Sequence, residues 1–278
     1  MPSDPGHKGV TLVQVGIGLP NTVPARGRGA LLEWARRAEA AGFSTLAVLD
    51  RLRYDSVDPF ITLAAAAAVT ERIGLATMIA IGPLRSPGVL AKQAQSLHEV
   101  SGGRFTLGLG IGARHDDYAA AGVDPSTRGA ALSTQLAHLR GGGLSSVDIL
   151  VGGSSGTALA RMARYANGYA HGGGPPRAFA SAATQARAAW YDHGRPGSPV
   201  LWGQGYLALS EPERGQDYLR DYYAFTGPFA DKIAAGALTS ARAIKDYVRG
   251  YAEAGCDELI LFPTTLDLAD LDRLAEAL

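Results

Sequence analysis

A short segment of glycine and serine residues, Gly152-Gly153-Ser154-Ser155-Gly156, has residue types that can bind an anion. It follows an apolar run typical of a strand and precedes a helical pattern. The backbone N–H groups of such a turn can converge on a phosphate, and the helix N-terminus adds about half a positive charge. The alternative is a tight structural turn in which Ser155 is the helix N-cap.

The same segment matches G-x-S-x-G, the pattern around the nucleophile of serine hydrolases, with Ser154 as the serine. Those enzymes need an acid and then a histidine after the serine, usually late in the chain. The last histidine here is His193. A serine hydrolase is therefore the weakest of the functions that the sequence suggests.

Asp50 ends an apolar run, where an isolated carboxylate is costly unless it has a hydrogen-bonding partner or an open cleft. Its neighbour Arg51 is the candidate partner. The residue is thus either part of a site or half of a structural ion pair.

A second polar group, His115, Asp116, Asp117 and Tyr118, has general acid and base capacity. The alternative is a solvated loop. No spacing of histidine and acidic residues matches a metal signature, so we expect no catalytic metal.

The elements that position these residues alternate along the chain between short apolar runs and longer stretches at helical spacing. The predicted strands are residues 12–19, 45–49, 73–81, 104–111, 147–151, 168–171, 200–209 and 258–262. Nearly continuous apolar strands are typical of parallel sheets that are buried on both faces. The residues that follow the strands are small and polar, and many are glycine.

Eight such units favour an α/β fold of the (β/α)8 TIM-barrel type over a doubly wound sheet, which usually has five or six strands. Residues 210–256 are longer than a normal connection, which predicts a long helical insertion between strands 7 and 8. We expect a single domain over residues 1–278, with residues 1–10 flexible.

Composition excludes several classes of protein. Lys and Arg total 26 and Asp and Glu total 26, so the formal charge is zero and no broad basic field for nucleic acid is expected. The single cysteine, Cys256, excludes an internal disulfide and a multi-cysteine metal site. With no signal core and no run of about 18 apolar residues, we expect a cytoplasmic protein without a membrane partner.

Several motifs resemble the bacterial luciferase-like family. Residues 83–87 read PLRSP, residues 90–93 read LAKQ, and the SGGR of residues 101–104 runs into the LGLGIG of residues 107–112. The resemblance extends firmly over about residues 12–171. It implies a (β/α)8 barrel that binds FMN or its deazaflavin relative, coenzyme F-420, at the carboxyl ends of the strands.

The resemblance implies that residues 152–154 hold the cofactor phosphate. It also implies a cis non-proline peptide in strand 3, near residues 78–80. The residues expected to bind the cofactor are Gly18, Asp50, Met78, Ile79, Ala80, Gly112, Asp116, Gly152, Gly153, Ser154 and Ser155.

Asp50 occupies the place of the aspartate in an Asp-His pair of deazaflavin members, with Arg51 in place of the histidine. Ala113 stands where those members have an acid, so His115 is the nearest candidate for proton transfer. The expected catalytic residues are Asp50 and His115. The residues expected to contact the substrate are Arg51, Tyr118, Trp202 and Gln204.

The resemblance therefore predicts an oxidoreductase that transfers a hydride between F-420 or FMN and a small organic substrate. Asp50 slightly favours the deazaflavin. The alternatives are an FMN-dependent monooxygenase and a flavin-binding protein without catalysis. The family also implies a homodimer.

Overall fold

The eight apolar runs form a closed barrel of parallel strands in the computed structural model, which confirms the predicted TIM-barrel class. The structure describes residues 13–24, 27, 29–142, 144 and 146–278. The strands are β1 (Gln14–Gly18), β2 (Thr45–Val48), β3 (Gly74–Ile81), β4 (Phe105–Gly110), β5 (Asp148–Gly152), β6 (Gly168–Ala170), β7 (Val200–Leu207) and β8 (Glu258–Pro263). Each strand pairs with its neighbour in the sequence, and β1 closes the barrel against β8.

Helices surround the barrel and cover the outward faces of the strands. They are α1 (Ala30–Ala40), α2 (Pro59–Ala67), α3 (Pro87–Val100), α4 (His115–Ala121), α5 (Arg128–Gly141), α6 (Gly156–Tyr165), α7 (Pro176–Asp192), α8 (Pro212–Tyr222), α9 (Phe229–Ala235), α10 (Ala241–Glu253) and α11 (Leu268–Ala277). Because the strands are buried on both faces, their side chains pack against these helices outside and against one another inside.

Several helices begin where the sequence provides a capping side chain. The Asp58 carboxylate accepts the N–H groups of Phe60 and Ile61, and the Ser86 hydroxyl accepts that of Val89. In both helices a proline follows the cap at the first helical position, where its missing N–H costs nothing. These caps fix the points at which the chain leaves the strand ends and turns back along the barrel.

The connection between β7 and β8 contains α8, α9 and α10, together with a short 3-10 turn, Ala224–Thr226. Leu207 at the end of β7 also bridges to Leu238, which ties the segment after α9 to the barrel. This connection therefore contributes its own wall at the carboxyl end of the barrel. The flexibility predicted for residues 1–10 concerns residues that lie outside the described part of the chain.

Residues 115–121 form the helix α4, and not the loop that the sequence left open as an alternative for His115 to Tyr118. Asp116 and Asp117 lie in the first turn, where negative charge is favourable, and Gly122 ends the helix with a left-handed φ of 66°.

Candidate active site

A cavity of about 830 Å³ opens at the carboxyl ends of the strands. Its walls come from the ends of β2 to β7 and from the segment that follows α8. Such a volume is typical of small-molecule and cofactor sites, and this is the end of the barrel at which TIM-barrel enzymes bind their ligands.

Part of the cavity wall comes from an irregular stretch of β3 that packs against Gly110 of β4. The Met78–Ile79 peptide is cis, which confirms the position implied by the resemblance, and the pairing of β3 with β4 shifts between Thr77 and Ala80. A Cβ atom on Gly110 would lie 2.1 Å from Ile79 Cδ1. Met78 and Ile79 line the cavity, whereas Ala80 is fully buried.

The turn from β5 into α6 presents its backbone to the cavity, as the sequence predicts. Residues 152–155 line it, and Gly153 has a φ of 123°, which side-chain-bearing residues rarely adopt. The Ser155 hydroxyl accepts the N–H of Ala158 at 3.2 Å, so Ser155 is the N-cap. The first N–H groups of α6 have no acceptor within the helix, so the turn keeps the ability to bind an anion.

Asp50 is engaged by a partner that the sequence did not suggest. Its carboxylate accepts two N–H groups of Arg85, at 2.6 and 3.2 Å, and the backbone N–H of Ile81 at 2.8 Å. Arg51, the candidate partner that the sequence offered, therefore does not pair with Asp50. Asp50 lines the cavity, but its lone pairs are largely occupied by these donors.

Arg51 pairs instead with the acidic residues of α4. Its Nε donates to Asp117 at 2.8 Å, and its terminal nitrogen donates to Asp116 at 2.9 Å. The Asp117 carboxylate also accepts the backbone N–H groups of Leu52 and Arg53. This cluster ties the loop after β2 to α4, and neither Arg51 nor Asp116 lies among the residues that line the cavity.

His115 and Tyr118 also lie outside the cavity. His115 is exposed at the start of α4. Tyr118 is buried, donates its hydroxyl to the carbonyl of Ile111, and has a pKa raised to about 12 by burial. The geometry therefore gives neither residue a contact with a ligand in the cavity.

The remaining predicted residues divide between the cavity and the core. Gly112 and Gln204 line the cavity, and the Gln204 amide donates to the carbonyl of Gly172 at 3.1 Å. Gly18 does not line it, because the Phe262 ring occupies the space where its side chain would lie. Trp202 is buried in the core and does not line the cavity.

Three arginines that the predicted site did not include line the cavity: Arg114, Arg128 and Arg161. Arg114 lies between aromatic rings, with its guanidinium carbon 4.3 Å from the Tyr222 centroid and 4.4 Å from that of Phe225. Within the described part of the chain, no carboxylate forms an ion pair with any of these arginines. The position of Arg114 in the polar loop after β4 was an available signal, whereas Arg161 lies inside an ordinary amphipathic helix.

His171 and Tyr223 are two further cavity residues with titratable groups. Burial lowers the pKa of His171, and its Nε2 is buried without a hydrogen-bond partner. The Tyr223 hydroxyl lies 2.6 Å from that of Tyr206, and burial raises the pKa of Tyr223. At neutral pH these directions favour an uncharged imidazole and an uncharged phenol among the residues that line the cavity.

Comparison with known proteins finds a family match over part of the chain. Residues 11–142 match the luciferase-like monooxygenase family, which confirms the resemblance seen in the sequence. An uncharacterised protein of Mycobacterium tuberculosis is 30% identical over 187 residues, a stretch that covers 51% of this chain and 65% of the relative. The chain therefore matches less than two thirds of that relative's length.

Solved structures share the fold at low sequence identity. An F-420-dependent secondary alcohol dehydrogenase, in complex with an F-420–acetone adduct, has a TM-score of 0.78 at 16% identity, covering 96% of this chain and 98% of that one. The oxygenating constituent of 3,6-diketocamphane monooxygenase from Pseudomonas putida, in complex with FMN, has a TM-score of 0.74 at 14% identity, covering 95% and 96%. Within the described residues, none of the helices is long and apolar enough to cross a membrane.

Proposed function

We propose that the chain, whose residues 11–142 match the luciferase-like monooxygenase family, is an oxidoreductase that binds a flavin-type cofactor, FMN or F-420, in the cavity of about 830 Å³. It would act there on a small organic substrate. The observation that carries the proposal is a cavity of suitable size at the carboxyl end of a TIM barrel, lined by several glycines and by a glycine turn whose N–H groups are able to bind an anion.

The residues present fit such a cofactor. Residues 152–155 and the first turn of α6 would hold its phosphate, because their N–H groups and the helix dipole favour an anion. Met78 and Ile79 would offer apolar contacts to its ring system. The unpaired arginines of the cavity supply positive charge that no protein carboxylate in the described residues neutralises.

A flavin or deazaflavin supplies hydride chemistry when bound, and the protein supplies orientation, a dry pocket and proton transfer. Tyr223 and His171 are the uncharged groups that could hold or move a proton, in place of the predicted His115. Asp50 is ion-paired with Arg85, which removes the reason that the sequence gave for favouring the deazaflavin.

An FMN-dependent monooxygenase is the second candidate, supported by the shared fold with a monooxygenase that contains FMN. Oxygen consumption with reduced FMN and a substrate panel separates it from hydride transfer with F-420. A protein that binds a cofactor tightly but turns over nothing would instead support the non-catalytic alternative.

The binding experiment titrates the purified protein with FMN and with F-420 and follows absorbance and fluorescence. Ser154→Trp places a large ring in the cavity from an exposed residue, so we expect it to abolish cofactor binding. Ser198→Trp is the matched control, because Ser198 is exposed at the opposite end of the barrel, before β7. The proposal fails when wild type saturates with neither cofactor, or when Ser154→Trp binds as well as Ser198→Trp.

A further inference from the structure

Arg114 is a cation of the cavity that is held by aromatic rings. It lies in the loop after β4, immediately before α4, and lines the cavity. Its guanidinium carbon lies 4.3 Å from the centroid of the Tyr222 ring, 4.4 Å from that of Phe225 and 5.4 Å from that of Tyr223. Aromatic faces attract a guanidinium, but they do not accept its N–H groups as a carboxylate does. The side chain is therefore held in place without an acid that neutralises it among the described residues.

Most of the N–H groups of this guanidinium have no acceptor in the part of the chain that the structure describes. One terminal nitrogen donates to the backbone carbonyl of Tyr222 at 2.9 Å. The Nε atom of Arg114 is buried without a hydrogen-bond partner among the same residues. A guanidinium has five N–H donors, so the contact with Tyr222 leaves most of them for a ligand. Because a buried donor without an acceptor is costly, an anion at this place would be bound with a gain in free energy.

The rings around Arg114 lie on a different side of the cavity from the glycine turn. Tyr222 ends α8, and its ring packs edge to face against that of Tyr54, with the centroids 5.2 Å apart. Tyr54 lies in the loop after β2, whereas the glycine turn of residues 152–155 follows β5, and β3 and β4 separate these two strands in the barrel. The guanidinium of Arg114 therefore lies beside the apolar wall that the connection between β7 and β8 contributes.

We propose that Arg114 binds a carboxylate of the substrate, and that the rings of Tyr222, Tyr223 and Phe225 contact the apolar body of the same molecule. All three rings belong to residues that line the cavity. A guanidinium fork matches the two oxygens of a planar carboxylate, and charge-assisted hydrogen bonds are about twice as strong as neutral ones. A single unpaired cation beside these rings matches a single negative charge. Resting on the proposed function, this makes the substrate class a monocarboxylic acid with an apolar group.

The test compares acids with their uncharged amides. Benzoate, 3-phenylpropanoate and octanoate are titrated beside benzamide, 3-phenylpropanamide and octanamide, and calorimetry gives each affinity. The titrations use the protein without cofactor and the protein saturated with whichever of FMN and F-420 it binds. We expect wild type to bind at least one acid roughly 10- to 100-fold more tightly than the matching amide, the typical effect of hydrogen bonds to a charged group.

Arg114→Met keeps an unbranched side chain beside the rings and removes its charge. We expect it to bind the preferred acid roughly 10- to 100-fold more weakly than wild type, with the affinity for the amide within about twofold. Arg114→Lys should recover part of the affinity for the acid, because it restores the charge but not the planar fork. Arg53→Met is the matched control, because Arg53 is exposed in the loop after β2 and does not line the cavity. It removes the same charge, and we expect it to bind the acid as wild type does.

Three results would overturn the inference. Wild type binds no acid more tightly than its amide, Arg114→Met weakens the binding of acid and amide alike, or Arg53→Met weakens the binding of the acid as much as Arg114→Met does. Circular dichroism shows whether Arg114→Met folds. If it does not, Arg114→Lys replaces it, since loss of the fork should weaken the binding of the acid and not that of the amide.

The proposed function is tested separately by the titrations with FMN and F-420. A protein that binds an acid through Arg114 but neither cofactor contradicts the proposed function and keeps the carboxylate site. A protein that binds a cofactor but none of the acids contradicts the carboxylate site and keeps the proposed function.

Discussion

The carboxylate of Asp117 links α4 to the loop after β2, and its removal should destabilise the fold. It is fully buried and accepts hydrogen bonds from Arg51 Nε at 2.8 Å, from Leu52 N at 2.9 Å and from Arg53 N at 2.7 Å. In Asp117→Asn the amide oxygen can keep the two backbone donors, but the NH2 group then faces the Arg51 donor. A buried ion pair that loses one partner costs about 3 to 5 kcal/mol.

Asp116→Asn is the matched control, because Asp116 binds the same arginine at 2.9 Å but its side chain is 52% exposed. Exposed ion pairs contribute about 0 to 1 kcal/mol. Urea unfolding followed by circular dichroism gives the free energy of unfolding of each variant. Taking about 2 to 4 °C per kcal/mol, Asp117→Asn should melt roughly 6 to 20 °C below wild type. The role assigned to burial would be refuted if Asp117→Asn lowered the free energy of unfolding by less than about 1 kcal/mol, or if both variants lowered it equally.

Two other predictions concern buried titratable groups. Burial raises the pKa of the Cys256 thiol to about 12. At pH 8 a thiol reagent should therefore leave the native protein unlabelled, and it should label one thiol per chain in guanidinium. Rapid labelling of the native protein would contradict this prediction. Burial also raises the pKa of Glu258, opposed by a hydrogen bond from Ser44, so the folded state holds its proton more tightly than the unfolded state. The stabilisation from this bound proton is fully present below the ordinary pKa of a glutamate, and it is lost as the pH rises through the pKa of Glu258 in the folded state. As the pH rises from 4 to 7, the free energy of unfolding of Glu258→Gln should therefore increase relative to that of wild type. Parallel plots of the two free energies against pH would show that Glu258 does not titrate in this way.

Local patterns predicted most of the barrel, because strand burial and helix capping both depend on residues that are close together in the sequence. Residues 45–49 and 258–262 were predicted as strands and are Thr45–Val48 and Glu258–Pro263. The glycine turn after β5 could also be predicted, because a strand, a glycine pair and a capping serine follow one another directly. The predicted insertion after β7 follows from length alone, since about 50 residues exceed any simple connection.

Side-chain partners that are distant in the chain could not be predicted in this way. Gly18 resembles a rim glycine by position, yet Phe262 fills its space. The polarity of His115 suggests a site, yet the geometry of α4 turns it to solvent. Arg161 sits inside an ordinary amphipathic helix, and only the folded structure shows that it lines the cavity.

The pairing of Asp50 explains how the end of β3 keeps its irregular course. The carboxylate accepts the backbone N–H of Ile81 at 2.8 Å, two residues after the cis Met78–Ile79 peptide, and Arg85 neutralises it from the following turn. Ile81 ends β3 and Arg85 follows it, so the Asp50 carboxylate after β2 holds the end of β3 in place. The irregular part of β3 lines the cavity. A carboxylate held by three donors has little remaining capacity to accept a proton from a substrate. Under the proposed function, these contacts give Asp50 a positioning role and leave proton transfer to other residues that line the cavity, such as Tyr223.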